Sequence, residues 1–278
     1  MEYVNIAAYR FVELDDLESC RESLLERGTT LGLLGTVLLS REGINLMLSG
    51  QRRAIDEMKA WISRFPHFAG MAYRESLSGF APFDRMKVRV RDEIISLGRD
   101  EIRPRAFTGP RIPPEMLRHW LDEGRKFTLL DTRNDYETTL GTFDRAVTLD
   151  IDSFRELPDA VQRLCPEARS EPMVMFCTGG VRCEKASPLM LNMGFREIYQ
   201  LDGGILNYFR HCGGAHWEGE CFVFDHRVGL TPDLQPTRTR LCMTCQRPIG
   251  PQTDCLHCGP ADRTPVAGGV IPNRSPSP

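Results

Sequence analysis

The segment Cys177-Thr178-Gly179-Gly180-Val181-Arg182-Cys183 places two thiols and a guanidinium within seven residues, directly after the apolar run Met173-Val174-Met175-Phe176. A continuous apolar run of that length reads as a strand buried on both faces of a parallel sheet. Open α/β sheets bind ligands beyond the carboxyl ends of such strands. Gly179 and Gly180 let the chain curl until several amides converge on one point. The result is an anion-binding nest, to which a helix starting near Cys183 adds its positive end. A thiol in that position is expected to ionise near neutrality and act as a nucleophile. Arg182 adds a positive charge. Cys183 has two readings: a resolving thiol for an oxidised or persulfidated Cys177, or a helix-starting residue that simply packs. The plain alternative for the whole loop is a core cysteine beside an incidental Gly-Gly turn.

A second cysteine group has a different spacing, Cys242-x2-Cys245-x9-Cys255-x2-Cys258. Each pair suits chelation from a tight turn, and four thiolates suit tetrahedral, structural zinc. His257 is a substitute ligand. Surface thiols in a loose tail are the alternative. Cys20, Cys165, Cys212 and Cys221 show no pairing pattern and read as small apolar or surface residues.

Arg85, Lys87, Arg89 and Arg91 recur with period two, so a strand there carries four cations on one face. Arg41, in a neighbouring hairpin, extends the stripe, and Phe80 and Phe83 lie close by for stacking on a base. Phosphate contact followed by aromatic stacking is the chemistry of RNA binding. A solvated strand face with ordinary lysines and arginines is the alternative. A formal net charge of -3 argues against polyanion binding by the whole surface and leaves room for such a local stripe. No apolar stretch is long enough to span a membrane, so no membrane partner is expected. The start Met1-Glu2-Tyr3-Val4-Asn5 has neither a basic segment nor an apolar signal core, which reads as cytoplasmic.

The elements that position these residues follow from periodicity. Strands are expected at Tyr3–Val12, Leu31–Leu39, Ile44–Leu48 and Met86–Leu97, with helices after Asp15-Asp16 and over Arg52–Phe65. The order βαββαβ predicts a ferredoxin-like sandwich over residues 1–101. Residues 102–113, rich in proline, read as a linker. Strands and helices then alternate over 114–225, the pattern of an α/β domain with a central parallel sheet. Residues 226–260 form a short Cys-rich segment, and the Pro/Ser-containing end from 261 to 278 is expected to be disordered.

Cys-Thr-Gly-Gly-Val-Arg resembles the C-x-x-G-x-R active loop of rhodaneses. Leu129-Leu130-Asp131-Thr132-Arg133 resembles their early strand ending in Asp and Arg, and Leu201-Asp202-Gly203-Gly204-Ile205 their Gly-Gly turn before the last helix. The resemblance implies a persulfide-carrying Cys177 with Asp131 and Arg133 in support. Protein tyrosine phosphatases use a related loop with C-x5-R. Here the spacing is C-x4-R, and no arginine lies six after Cys183, which disfavours a phosphatase.

Two further segments, 35–45 (GTVLLSREGIN) and 82–91 (PFDRMKVRVR), together with 177–185 (CTGGVRCEK), resemble the rhodanese-domain tRNA uridine hydroxylases from about Tyr3 to Asp225. That resemblance implies oxygen-dependent conversion of a wobble uridine to 5-hydroxyuridine, with tRNA as partner and molecular oxygen as co-substrate; a sulfur or electron donor is a further candidate partner. No organic cofactor site is evident in the residues. Two other readings stay open: a sulfurtransferase carrying a persulfide on Cys177, and a redox- or metal-responsive binding module.

Overall fold

The computed structural model describes residues 2–250, 254, 255 and 257–259; the segment expected to be disordered, 261–278, lies outside them. Alternating side chains build a first sheet from β1 (Tyr3–Phe11), β2 (Leu34–Ser40), β3 (Gly43–Gly50), β4 (Arg74–Ser78) and β5 (Met86–Val90), in the order β4-β1-β3-β2-β5. Helices α1 (Leu17–Thr30) and α2 (Arg52–Ile62) cover one face. Leu24, Ile55, Met58 and Ile62 pack there on Val4, Ile6, Val37, Leu39, Ile44, Leu46 and Leu48. Asp16 caps α1 by accepting the Ser19 amide at 3.0 Å, as its position before the apolar pattern suggests.

The βαββαβ order holds, with a different final member. Its fourth strand is β4, whose Arg-Glu-Ser-Leu-Ser sequence gives no apolar alternation because it lies at the sheet edge. The segment expected to close the unit is instead a fifth strand, parallel to β2. It stops at Val90, and further on the Glu93 carboxylate accepts the Leu97 and Gly98 amides at 3.0 and 2.9 Å and folds the chain into a turn.

The second sheet is parallel, in the order β6-β10-β9-β7, from β6 (Arg111–Ile112), β7 (Thr128–Asp131), β9 (Met173–Phe176) and β10 (Ile198–Leu201). On one face, α5 (Leu157–Gln162) and α6 (Val181–Asn192) pack Leu157, Val161, Ala186 and Met190 against Met173 and Met175. On the other, α3 (Pro114–Asp122) and α7 (Gly204–Cys212) pack Leu117, Ile205 and Tyr208 against Val174 and Phe176. Smaller pieces complete the unit: α4 (Asp135–Thr138), the pair β8 (Gly141–Phe143) and β11 (Trp217–Gly219), and the pair β12 (Cys221–Phe222) and β13 (Gly229–Leu230). After β8, Val147 makes an isolated bridge to Leu130 of β7. A last hairpin joins β14 (Arg240–Leu241) to β15 (Pro248–Ile249).

The proline-rich segment before α3 lies against α6 and contributes the edge strand β6, a place where proline costs no ladder bond. Pro188 inside α6 leaves the Glu184 carbonyl without its helical donor. Thr108 Oγ1 donates to that carbonyl at 3.2 Å. Leu97 and Ile102 are buried in the same core as α6. Among the described residues, no helix is long and apolar enough to cross a membrane.

Candidate active site

Cys177 follows the last residue of β9 and is 1 % exposed. Gly180 takes a left-handed conformation (φ 97°), which turns the chain into α6 and directs its amide to the Cys177 sulfur at 3.1 Å. The turn that precedes α7 locks the loop from behind. Ile205 and Leu206 amides donate to the Cys177 and Thr178 carbonyls at 3.0 and 3.1 Å. A side chain at Gly204 would meet the Cys177 carbonyl oxygen at 2.3 Å, so only glycine allows this approach. α6 starts at Val181, two residues before the start near Cys183 that the sequence suggests, so Arg182 and Cys183 occupy its first turn.

Burial on its own would push the Cys177 thiol up. It is outweighed by a hydrogen bond from the Cys183 thiol, by the charge of Arg182 and by the Arg182 and Gly180 amides, which bring the value down to about 5. Burial and the neighbouring Cys177 push Cys183 well up, so the shared proton resides on Cys183. Thr132 Oγ1 lies 3.7 Å from the Cys183 sulfur.

Arg182 is clamped on the carboxylate of Glu137. Nη1 and Nη2 donate to Oε2 and Oε1 at 2.5 and 2.7 Å, with both side chains buried. Glu137 also accepts the Asn134 amide at 3.2 Å and the Thr178 hydroxyl at 3.3 Å. Its signal in the sequence is only the Asn134-x-x-Glu137 capping box of α4, which gives no hint of a contact 45 residues away. Asp131 and Arg133 form a separate, fully buried pair (Nη2 to Oδ2, 2.6 Å), tied to Thr142 and the Gly141 carbonyl. That pair fixes the end of β7 and lines no part of the cleft described next.

The helix-free face of the first sheet covers the loop. Asn5, Ala7, Tyr9, Asn45, Met47, Arg74 and Ser76 from that sheet enclose, with Cys177, Thr178, Gly179, Arg182 and Phe224, a cavity of about 380 Å³. Tyr9 Oη donates to Glu184 at 2.9 Å, and Arg74 Nε donates to the Gly203 carbonyl at 2.9 Å. Glu184 also accepts from Arg111, while Lys185 Nζ reaches Glu42 and Glu93 at 2.8 and 2.5 Å. These contacts join positions as many as 175 residues apart, and local spacing carries no trace of them.

Lys87 and Arg89 stand opposite Thr36 and Leu38 in the sheet, on the face toward the cleft, since Leu38 lines it. Arg85 and Arg91 flank the strand and are exposed. Arg41, also exposed, borders a second cavity that includes Lys185, Glu42 and Glu93. Phe83 lines the Cys177 cleft; Phe80 is 45 % exposed outside it.

Residues 3–94 match the UPF0176 acylphosphatase like domain, and residues 113–211 match the rhodanese-like domain. A tRNA uridine(34) hydroxylase of Cupriavidus taiwanensis is 46% identical over 95% of this chain and 99% of its own. One from Cupriavidus necator is 45% identical over 93% and 97%, and one from Burkholderia mallei 42% identical over 100% and 99%. The chain belongs to the tRNA uridine(34) hydroxylase family. In this member, the reactive loop lies under the acylphosphatase-like sheet rather than open to solvent.

The Cys-rich segment of this family member gathers its four thiols. The sulfurs of Cys242, Cys245, Cys255 and Cys258 all lie within 4.8 Å of one another, a cluster that could hold a metal ion; exposed His257 is not among them. Arg247, between the paired cysteines, bonds Asp135 of α4 and Asp152 at 2.9 and 2.8 Å and so docks the hairpin on the rhodanese-like unit.

Proposed function

We propose that the protein hydroxylates the wobble uridine of tRNA to 5-hydroxyuridine, with molecular oxygen as co-substrate and Cys177 as the essential thiolate. Family membership carries the reaction and the tRNA substrate. The observation that supports the site is the low-pKa Cys177 inside a cleft shared by both units. A cavity of about 380 Å³ has the size of a small-molecule site, enough for one extruded nucleoside. Placing one atom of O2 at C5 and releasing the other as water consumes two electrons and two protons, which an external donor supplies.

Within this reading the Gly180 and Arg182 amides and the Arg182 guanidinium hold the Cys177 anion. Cys183, protonated and adjacent, resolves oxidised or persulfidated Cys177. Asp131 and Arg133 hold the strand end that carries Thr132 against Cys183. Lys87 and Arg89, with Arg85, Arg91 and Arg41, contact tRNA phosphates along the rim. Zinc suits the four-cysteine cluster: a tetrahedron with Zn–S of about 2.3 Å has edges of about 3.8 Å, inside the observed spread. In this role it would tie Cys255 and Cys258 to the last hairpin and would supply no step of the reaction. A boundary near residue 101, a connecting segment to 113 and a rhodanese-like unit from 114 to 225 go with this division of labour. The cytoplasm, where tRNA and free thiols coexist, is the setting.

Nucleoside mass spectrometry of tRNA from a deletion strain tests the reading. Restoration of 5-hydroxyuridine derivatives by the wild type but not by Cys177→Ser is expected. Unchanged levels in the deletion strain would overturn it. Thiosulfate-dependent thiocyanate formation by Cys177, without uridine hydroxylation, would favour the sulfurtransferase instead.

A further inference from the structure

Phe224 is a large apolar side chain left 46 % exposed, and it lines the same cleft as Cys177. Its place is rigid. The Phe222 ring meets it edge-on at 5.1 Å, and Phe222 in turn packs edge-on against Tyr136 at 5.3 Å. The Arg182 guanidinium lies 5.8 Å from the Phe224 ring centroid. The turn that carries it is closed by Val223 and Val228, whose amide and carbonyl bond at 2.8 Å, and by the Arg227–Asp225 ion pair.

That turn is also stitched to the first unit. The His226 amide donates to the Pro82 carbonyl at 3.0 Å, and Arg227 Nη1 donates to Ser76 Oγ at 2.7 Å. Phe83, next to Pro82, lines the cleft as well. Two aromatic rings from two units are thus brought by one tied junction to the cavity that contains the reactive sulfur.

A base drawn out of an anticodon loop loses its stacking neighbours, and proteins replace them with aromatic faces. We propose that Phe224 is the stacking platform for the uracil presented to Cys177, with Phe83 a second apolar wall of the same cleft. This assignment rests on the uridine-modifying reading and adds the residue that receives the base.

The test is a binding cycle with the full chain and a labelled anticodon stem-loop carrying either uridine or an abasic residue at position 34. The wild type is expected to prefer uridine by about tenfold. Phe224→Leu keeps apolar bulk without a π face. It is expected to lose about tenfold on the uridine RNA and to bind both RNAs alike. Phe224→Trp is expected to restore the preference. Equal losses on both RNAs, or an unchanged preference in Phe224→Leu, would overturn the assignment. The midpoint of denaturant unfolding serves as the folding control, and a Phe224→Leu protein that fails it is replaced in the cycle by Phe224→Met, which must lose the preference that Phe224→Tyr keeps. Wild-type hydroxylation is scored separately by nucleoside mass spectrometry. Its absence would overturn the uridine-modifying reading, whereas hydroxylation with unaltered base preference in the variant overturns only the stacking role.

Discussion

The two cysteine groups of this chain use one residue type in opposite ways. Cys177 is enclosed at the end of a buried strand, and its charge is met by backbone N–H groups, a thiol and Arg182. The Cys242 group joins Cys242 and Cys245, from the turn of a short two-stranded hairpin, to Cys255 and Cys258 beyond it, with all four sulfurs within 4.8 Å of one another. Arg247, between its two cysteine pairs, is committed to Asp135 and Asp152. One site therefore supplies its own positive field and leaves a single sulfur reactive. The other collects four sulfurs in an arrangement that could hold a metal ion, whose charge would then balance theirs. Environment, rather than the cysteine itself, separates a nucleophile from a ligand.

Metal removal should separate the two sites most sharply. A bound structural zinc contributes about 10 kcal/mol or more to the local fold of its peptide. Chelation is expected to release one metal per chain and expose four thiols to alkylation, measured by mass spectrometry. The Cys177 rate should change less than about threefold, because the hairpin is tied to α4 through the half-buried Arg247–Asp135 ion pair. A Cys177 rate that collapses on chelation would show that the sites are not independent.

Glu137→Gln is the next largest effect. It leaves the Arg182 charge buried without its counter-ion, a loss of about 3–5 kcal/mol measurable by denaturant unfolding. Its effect on Cys177 has the opposite sign. An uncompensated Arg182 attracts the thiolate more strongly, so the Cys177 pKa is expected to fall further below its present value. A rise instead would mean that Glu137 acts by placing the loop rather than by balancing charge.

What the sequence made legible was local. The reactive loop and the four-cysteine pattern are each contained in fewer than twenty residues, and spacing alone conveys their geometry. The parallel sheet was equally plain, because Met173–Phe176 is apolar throughout. Strand β4 was hidden by its polar composition at a sheet edge. Glu137, Tyr9 and Arg74 were hidden for another reason: they meet Arg182, Glu184 and Gly203 through tertiary contacts across 45 to 175 residues. The alternation of Arg85, Lys87, Arg89 and Arg91 suggested one shared face, but not that Lys87 and Arg89 share theirs with Leu38, which lines the Cys177 cleft.

The most direct test of the central claim is the pH dependence of Cys177 alkylation in the full chain, read site by site from peptide mass spectra. A depressed pKa keeps the thiolate populated above it and loses the thiolate to protonation as pH falls through it. The rate should therefore be flat from about pH 6 to 8 and half-maximal near about 5. A rate that climbs through pH 8 to 9, as for an ordinary cysteine, would contradict the account.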